Sequence, residues 1–328
     1  MPLAYLNVDV INPSTVNTVI VSGVEIDSPI ATNIGIGTSA LNSLISGTDN
    51  VAIGENALTT ATSTSRIVAI GGGALENSAS SNNSVAIGYR AMRSGGGSAN
   101  IAIGYQALFN GTGGGNVAIG KDALLFSTLA VANTAIGTEA GKAITTGGGN
   151  VLVGNYCGAA LTTGTDNIFI GQSAASFNSG DIFTGSNNVA IGGGSNPSSL
   201  TVSDEITLGN SSNTVLRCAV TSITSLSDAR DKKGITELSA GLDFVNTLKP
   251  VSFVWDDRNE EGRHDVKDFG FIAQDLKKSQ EDAKLADTLK LVYEENPEKL
   301  EASYGKLIPI LVKAIQDLSA KVEQLENK

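Results

Sequence analysis

The chain has 328 residues and a formal net charge of −11, from 33 Asp and Glu against 22 Lys and Arg. This negative excess argues against nucleic acid or an anionic membrane surface as a partner. The charge is unevenly spread, because the first 226 residues hold only 6 Lys and Arg and 12 Asp and Glu.

The chain shows no signal for export or membrane insertion. Met1 to Tyr5 lack a basic start followed by a long apolar run, and no stretch approaches the roughly 18 apolar residues of a membrane span. We expect a soluble protein made in a cytoplasm. Cys157 and Cys218 lie far apart, without metal-ligand or disulfide spacing, which favours isolated buried thiols.

Residues 1–32 alternate apolar and polar side chains and contain many β-branched residues, among them Val8, Val19 and Ile26. Alternation with a period of two is typical of β-strands. We predict short strands in this segment.

Residues 33–203 form a repeat with the motif Asn-Val-Ala-Ile-Gly, followed two residues later by Ala-Leu. The motif glycines are mostly 17 residues apart, with two spacings of 16 and one of 21. They are Gly37, Gly54, Gly71, Gly88, Gly104, Gly120, Gly137, Gly154, Gly171, Gly192 and Gly209. So steady a period predicts one solenoid turn per repeat, with the short strands stacked in a parallel sheet.

The alternation within the motif predicts the two faces of each strand. Val51 and Ile53 point to one side, and Ala52 and Gly54 point to the other. We expect the bulky side to fill the core and the small side to let another backbone approach closely.

Other repeat positions predict how the turns stack. The recurring asparagines can hydrogen-bond along the axis as a ladder; they are Asn33, Asn50, Asn100, Asn116, Asn133, Asn150, Asn167 and Asn188. Ala-Leu pairs such as Ala57-Leu58 are expected to return to the core. Gly113 to Gly115 and Ser81 to Asn83 are expected to be outer loops. The Gly-Gly-x-Gly-x-Asp pattern of calcium-binding rolls is missing, so we predict no calcium array.

Residues 204–226 lose the repeat but remain strand-like, and a serine–lysine pair follows them. Ser227 precedes Lys232 by five residues. A neutral lysine can take the proton of a serine hydroxyl, and the alkoxide then attacks a carbonyl carbon. Lysine does so only where burial or a nearby cation lowers its pKa. The spacing alone leaves a solvated linker as the alternative.

The C-terminal part is predicted to mix helices and strands. Ser239 is expected to cap a helix from Ala240 to about Leu248, which Pro250 ends. Two strands, a helix start and an extended segment then follow: Val251 to Trp255, Phe269 to Ile272, Ala273 to about Lys278, and Leu291 to Tyr293.

A long helix is predicted from about Leu300 to the end of the chain. Its apolar residues step by three and four: Ile308, Leu311, Ile315, Leu318, Val322 and Leu325. This spacing favours a coiled-coil seam of about three heptads. The alternative is an amphipathic helix packed on its own domain.

The motifs of residues 227–328 resemble, in type and order, the C-terminal intramolecular chaperone of phage tailspikes and tail fibres, an endosialidase-type peptidase. They are Ser227-Asp228-x-Arg230-x-Lys232, Gly241-Leu242-Asp243, Leu248 to Trp255, Gly270 to Asp275, and Tyr304 to Ile308. This family holds three chains together while a β-structured fibre folds, and then cuts itself off.

The resemblance implies the residues of the cleavage reaction. Ser227 would be the nucleophile, Lys232 the base and Leu226–Ser227 the scissile bond, while Asp228 and Arg230 would shape the loop. The family often has an apolar residue where this chain has Asp231. An adjacent carboxylate favours the charged form of lysine, which opposes its role as a base.

The Val-Ala-Ile-Gly repeats resemble the β-roll head of trimeric autotransporter adhesins, whose repeats are slightly shorter. The implied fold is mostly β: a trimeric, left-handed parallel β-roll or solenoid of about 17-residue repeats. A small α+β chaperone domain ending in a coiled-coil helix, residues 227–328, would follow. Residues 204–226 would wind together with the same segment of the other two chains.

The resemblances imply a homotrimeric phage tail fibre or tail appendage, assembled in the host bacterial cytoplasm. Residues 1–32 would attach it to other virion proteins, and the charge-poor rod would bind a host-surface receptor, a glycan among the candidates. An alternative is a bacterial trimeric autotransporter-like adhesin, disfavoured by the lack of a signal peptide and anchor. A membrane-bound transcription factor sharing the processing domain would need a basic region and a membrane span.

Other chemistry has little support in the sequence. His264 is the only histidine and is expected to be a solvated residue of the charged loop 260–265. The few carboxylates of the repeat region recur at no fixed place, which argues against a glycosidase. No glycine run is followed by Gly-Lys-Ser/Thr, so no phosphate loop is predicted. We expect no metal and no cofactor.

Overall fold

A computed structural model of the chain describes residues 18–21, 24–27, 32–178, 180–213, 215–217, 227–256 and 264–327. The chain divides into two compact units, Met1–Asn210 and Ser211–Lys328. Within the described residues, no helix has the length and apolar character needed to cross a bilayer.

The first unit is one thirteen-stranded sheet whose strands follow each other in chain order. β1 and β2 form an antiparallel hairpin, and β2 also pairs antiparallel with β3. From β3 to β13 every pairing is parallel. The strands are β1 Thr18–Val21, β2 Val24–Asp27, β3 Ile34–Ile36, β4 Val51–Ile53, β5 Val68–Ile70, β6 Val85–Ile87, β7 Ile101–Ile103, β8 Val117–Ile119, β9 Thr134–Ile136, β10 Val151–Val153, β11 Ile168–Ile170, β12 Val189–Ile191 and β13 Ile206–Leu208.

This architecture confirms the mostly β fold and the parallel solenoid with one turn per repeat. β13 lies inside the segment 204–226 that was expected to wind between chains, so the sheet continues beyond residue 203. Val8 and the other strand residues expected before residue 18 lie outside the described residues.

The strands bury their small side, which is the reverse of the predicted orientation. Ala52 and Ala69 have no exposed surface, whereas Val51 and Ile53 beside Ala52 are only half-buried. The core is already occupied by the leucines of the Ala-Leu pairs, such as the fully buried Leu58. The inward strand residue is large only at β10 and β11, as the buried Leu152 and Phe169, and there Gly158 and Ala175 replace the leucine, which keeps the core filled at native packing density.

The valines and isoleucines therefore form rows on the outside of the sheet. Their most exposed members lie at the first and third strand positions: Ile34, Ile101, Ile103, Ile136, Ile168, Ile170, Ile191, Ile206 and Leu208. We call this surface the outer sheet face.

The last glycine of each motif lets neighbouring turns touch. Gly54 has φ +128°, and a Cβ built on it would lie 2.7 Å from the carbonyl carbon of Gly71. An L-residue is strained at this φ and has no space there. Gly113, expected in an outer loop, is likewise a packed corner, because a Cβ on it would lie 1.9 Å from the Ala130 carbonyl oxygen. Ser81 is also buried rather than looped outward.

The buried asparagines form the predicted ladder. The side-chain amide of Asn133 donates to Asn116 Oδ1 at 3.2 Å and to the Gly147 carbonyl at 2.9 Å. Its backbone N–H also donates to Asn116 Oδ1, at 3.0 Å. Asn33 and Asn50 make the same contact. Ile67 and Ser84 interrupt the ladder at the next two turns, where their backbone and hydroxyl groups replace the amide.

The second unit contains two small antiparallel sheets and four α-helices within its described residues. The elements are α1 Leu242–Val245, β14 Val251–Asp256, β15 His264–Gly270, α2 Ala273–Asp282, α3 Ala286–Leu289, β16 Val292–Tyr293, β17 Glu301–Ala302 and α4 Leu307–Glu326. Short 3-10 helices span Ala229–Asp231 and Tyr304–Lys306. The predicted element types are largely recovered, but α1 is shorter, β15 starts earlier and α4 starts later than expected.

The N-terminus of α1 is capped from a distant helix, not by Ser239. Asp317 of α4 accepts a hydrogen bond from the Leu242 N–H at 3.1 Å. Gly241 makes room for it, because a Cβ there would lie 2.0 Å from an Asp317 carboxylate oxygen. The pKa of Asp317 is lowered, first by the hydrogen bond from Lys313 and then by the one from Leu242.

Helix α4 packs on its own unit through Leu307, Ile310 and Ala314, which are buried. The predicted seam from Ile308 to Leu325 lies on another face and is exposed. The helix therefore presents a second apolar stripe that no described residue covers.

The ladder predicts a specific loss of stability for Asn133→Ala. The change leaves the Gly147 carbonyl and the Asn150 amide groups without their buried partner, which should lower the free energy of unfolding by about 2–4 kcal/mol. Guanidinium unfolding followed by circular dichroism measures it. The control Asn155→Ala removes an exposed side chain at a corner of the solenoid and should change the free energy of unfolding by less than about 0.5 kcal/mol. Equal effects of the two changes would contradict the ladder's role.

The Asp317 cap predicts a pH-dependent stability. The folded-state pKa is depressed, so the contribution is complete above the unfolded-state pKa and is lost as the pH falls through the folded value. Asp317→Asn should therefore lower the thermal midpoint of the second unit at pH 7, and the gap to wild type should narrow as the pH falls below the unfolded-state pKa of about 3.9. Asp243→Asn, which alters an exposed carboxylate on α1, is the control. A gap that persists in acid would contradict this mechanism.

Candidate functional site

The serine–lysine loop is built by the 3-10 turn Ala229–Asp231. Asp228 caps this turn by accepting from the Arg230 N–H at 2.9 Å. The Lys232 N–H donates to the Ala229 carbonyl at 3.2 Å and closes the turn. One tight turn thus carries the chain back, so that residue 232 faces residue 227.

The loop brings the two predicted reaction partners into contact. Lys232 Nζ lies 2.6 Å from Ser227 Oγ and 3.3 Å from the carbonyl oxygen of the same serine. The first distance suits proton transfer between a hydroxyl and an amine. Leu226, on the other side of the predicted scissile bond, lies outside the described residues. The arrangement can therefore supply the nucleophile and base, and their roles stay predictions.

Asp228 and Arg230 pair with each other rather than with the serine or the lysine. Arg230 Nη2 donates to Asp228 Oδ2 at 2.6 Å, and Nε lies 3.1 Å from both carboxylate oxygens. Hydrogen bonds from the side chain and then the backbone of Arg230 lower the pKa of Asp228. A carboxylate held ionised in this way shapes the loop and is poorly suited to carry protons at neutral pH.

The surroundings of the pair are open to solvent. Ser227, Asp231 and Lys232 are all exposed, and no ion pair joins Asp231 to Lys232. The described residues of a single chain thus give Lys232 no burial. A lysine acting as a base needs desolvation or a nearby cation to lose its proton, and burial is the condition that these residues do not meet.

The remaining candidate groups do not form a second site. His264 begins β15, and its Nδ1 lies 3.1 Å from Asp256 Oδ1 in an exposed pair. Cys157 is buried, its thiol donates to the Phe169 carbonyl at 3.1 Å, and burial raises its pKa to about 12. Cys218 lies outside the described residues. Across the part of the chain that is described, no three His, Cys, Asp or Glu residues are grouped to hold a metal ion.

Residues 227–285 match the peptidase S74 family model, described as the chaperone of endosialidase. The match begins at Ser227, includes the whole serine–lysine loop, α1, β14, β15 and α2, and ends before α3. It supports an endosialidase-type intramolecular chaperone domain in the second unit. No curated protein and no solved structure matches the chain.

Two contacts that hold this domain together were missed from the sequence. Asp317 lies 75 residues from the helix it caps, and no local pattern connects the two. The Tyr304 hydroxyl accepts from the Phe271 N–H at 3.1 Å, and Gly270 leaves space for it. The motifs Tyr304-Gly305-Lys306 and Gly270-Phe271-Ile272 are far apart in the sequence, and only the fold brings them together.

The contact predicts that Lys232→Arg abolishes self-cleavage at Leu226–Ser227. Arginine keeps the positive charge but does not give up a proton at neutral pH, so the rate should fall by at least about 100-fold. Electrophoresis and intact mass of the expressed chain measure the products 1–226 and 227–328. Lys233→Arg is the matched control and should cut normally. Cleavage of Lys232→Arg at the wild-type rate would remove this lysine from the mechanism.

Proposed function

We propose that the chain is a phage tail fibre or tail appendage subunit that trimerises, folds with the help of its C-terminal domain, and then releases that domain. The observation that carries the proposal is a β-solenoid followed directly by an endosialidase-type chaperone match that starts at Ser227. A fibre module and a folding module in this order fit a chaperone that acts on the chain preceding it.

The outer sheet face supports assembly with further copies of the chain. It runs along the parallel strands β3 to β13 as two rows of valine, isoleucine and leucine, interrupted only by Thr134. Contiguous apolar surface of this kind marks an interaction site. Every turn repeats the same chemistry, so a partner with the same repeat length can match it along its whole length. A second and a third copy of the same chain meet this condition.

The second unit offers matching evidence. The exposed seam of α4 has the spacing of a coiled coil. Beside its start lies an apolar groove of about 550 Å³, lined by Val251, Phe269, Phe271, Leu307, Ile308 and Leu311. Ile308 and Leu311 belong to both surfaces. Three copies joined through the seam would also cover this groove, which supports a trimeric clamp.

Assembly would also complete the cleavage site. Lys232 is exposed in the single chain, and neighbouring chains are a source of the burial that its role as a base requires. We infer that cleavage follows assembly, so that the clamp is removed only after the fibre has formed. Attack of Ser227 Oγ on the Leu226 carbonyl would break the Leu226–Ser227 amide bond, leave the Ser227 nitrogen as a free amine and give an ester, which water hydrolyses.

The released fibre would serve adhesion to a host surface. The described solenoid carries few charges, and its carboxylates are scattered singly or paired with neighbouring cations. This favours binding over catalysis along the shaft. Attachment through residues 1–32 to another virion protein remains part of the same proposal.

The chaperone role predicts that the assembly state of residues 1–226 depends on whether they are expressed alone or released from the full chain. Residues 1–226 expressed alone should aggregate or stay monomeric, because non-local pairing is slow and leaves sheet edges open meanwhile. Residues 1–226 released from the full chain should form a heat-resistant trimer, since a high unfolding barrier does not depend on how the state was reached. Light scattering with mass determination compares them.

Ser227→Ala provides the control, because the uncut chain should still trimerise. If residues 1–226 alone give the same trimer in the same yield, the C-terminal domain is not a chaperone for this fibre. If the released fibre is monomeric, the trimeric assembly is wrong even where cleavage occurs.

A further inference from the structure

One corner of the solenoid, directly after the strands, carries a cluster unlike the rest of the shaft. Tyr89 and Tyr105 follow the motif glycines of two successive turns, and their rings stack with centroids 5.8 Å apart at an angle of 20°. The equivalent positions in other turns hold Thr38, Glu55, Gly72, Lys121, Thr138, Asn155, Gln172, Gly193 and Asn210. The two tyrosines therefore make the only aromatic pair at this corner.

The ring pair is ordered by its neighbours yet remains accessible. The Tyr89 ring lies over Gly72, where a Cβ would be 3.5 Å from Cδ2. Even so, Tyr89 and Tyr105 are 47% and 46% exposed. A stacked pair offers a rigid surface with apolar ring edges and two hydroxyl groups that can donate and accept hydrogen bonds.

Arg90 adds a cation whose charge is not neutralised by an ion pair. Its guanidinium lies 4.9 Å from the Tyr89 ring centroid, within the range of a cation–π contact. Arg93, Lys121 and Lys142 each pair with a carboxylate, at 2.6, 3.7 and 2.9 Å. Arg90 forms no such pair with any residue that the structure describes.

The local charge is positive in a strongly negative chain. Arg93 is held by Glu76, so the cluster of two arginines and one glutamate carries a net charge of about +1. The hydrogen bond from Arg93 lowers the pKa of Glu76 against the opposing effect of burial, and the charges of Arg93 and then Arg90 lower it further. Glu76 thus stays ionised and occupied with Arg93, which leaves Arg90 available.

We propose that the surface formed by Tyr89, Arg90 and Tyr105 binds an acidic saccharide, a sugar that carries a carboxylate. A guanidinium binds a carboxylate through two parallel hydrogen bonds, and aromatic rings accept the C–H face of a sugar. The tyrosine hydroxyls and the half-buried Gln106 amide next to Tyr105 can bond to its hydroxyl groups. This site deepens, and rests on, the proposed adhesion function.

The test uses the full-length chain after its self-processing and an array of immobilised neutral and carboxylated oligosaccharides. We expect retention on carboxylated sugars only, weakened by salt because a charge pair contributes. Titration calorimetry with the best-retained sugar then compares variants. Arg90→Gln should weaken binding by about 10–100-fold, and Tyr105→Ala by about 3–10-fold.

Matched controls separate the site from general effects of charge and ring loss. Arg66→Gln makes the same charge change at another corner, and Tyr156→Ala removes another exposed tyrosine. Both should bind like the wild type. The site is overturned if no carboxylated sugar is retained, if the site variants bind like the controls, or if Tyr105→Ala shifts the oligomer to monomers. In the last case the ring pair is a contact between chains.

Adsorption of the same preparations to a panel of bacterial strains tells the two proposals apart. Wild-type protein that adsorbs to cells with no preference for carboxylated sugars overturns the site and leaves adhesion standing. Protein that binds these sugars through Arg90 but adsorbs to no strain supports the site and overturns adhesion.

Discussion

The solenoid depends on backbone contact between successive turns at the motif glycines. At Gly104 a Cβ would lie 2.6 Å from the Gly120 carbonyl oxygen, and φ is +135°, so no other residue fits without displacement. This contact sets the spacing of the turns. At that spacing each strand can pair in parallel with the next, and the asparagine side chain of one turn can bond to the backbone N–H of the next, as Asn100 does to Asn116. The sheet, the ladder and the alanine core all depend on this constant spacing between equivalent positions of successive turns.

The period of the repeat made the solenoid predictable, even where the spacing changes. Between Gly171 and Gly192 the chain holds four extra residues, yet Ile168 still pairs with Val189 and Asn188 still bonds to Asn167. The insertion is absorbed at a corner, because slipping the strand would break the ladder and the sheet together. A sequence pattern that marks the stacked positions therefore predicts the register, whatever the length of the corner.

The same pattern does not show which face of each strand is buried. Alternation separates Val51 and Ile53 from Ala52, but it does not say which side faces inward. The Ala-Leu pair decides this, because Leu58 already fills the core, and its effect depends on the width of the coil. In the C-terminal unit the α2 helix and β14 were predictable locally, whereas the cap on α1 depends on Asp317 of α4. The Ser227–Lys232 contact was predictable because one short turn makes it.

The location of the stabilising contacts explains how a fibre can need a chaperone and then dispense with it. Among the described residues, the asparagine ladder and the contacts between motif glycines join successive turns and extend no further than Gly209. They hold the solenoid once it is stacked, but they form only when distant turns have met. Closing each turn costs loop entropy before its contacts form. Under the proposed function, a domain that aligned the chains would act on the route to the folded state, and its removal would leave the contacts that maintain that state unchanged.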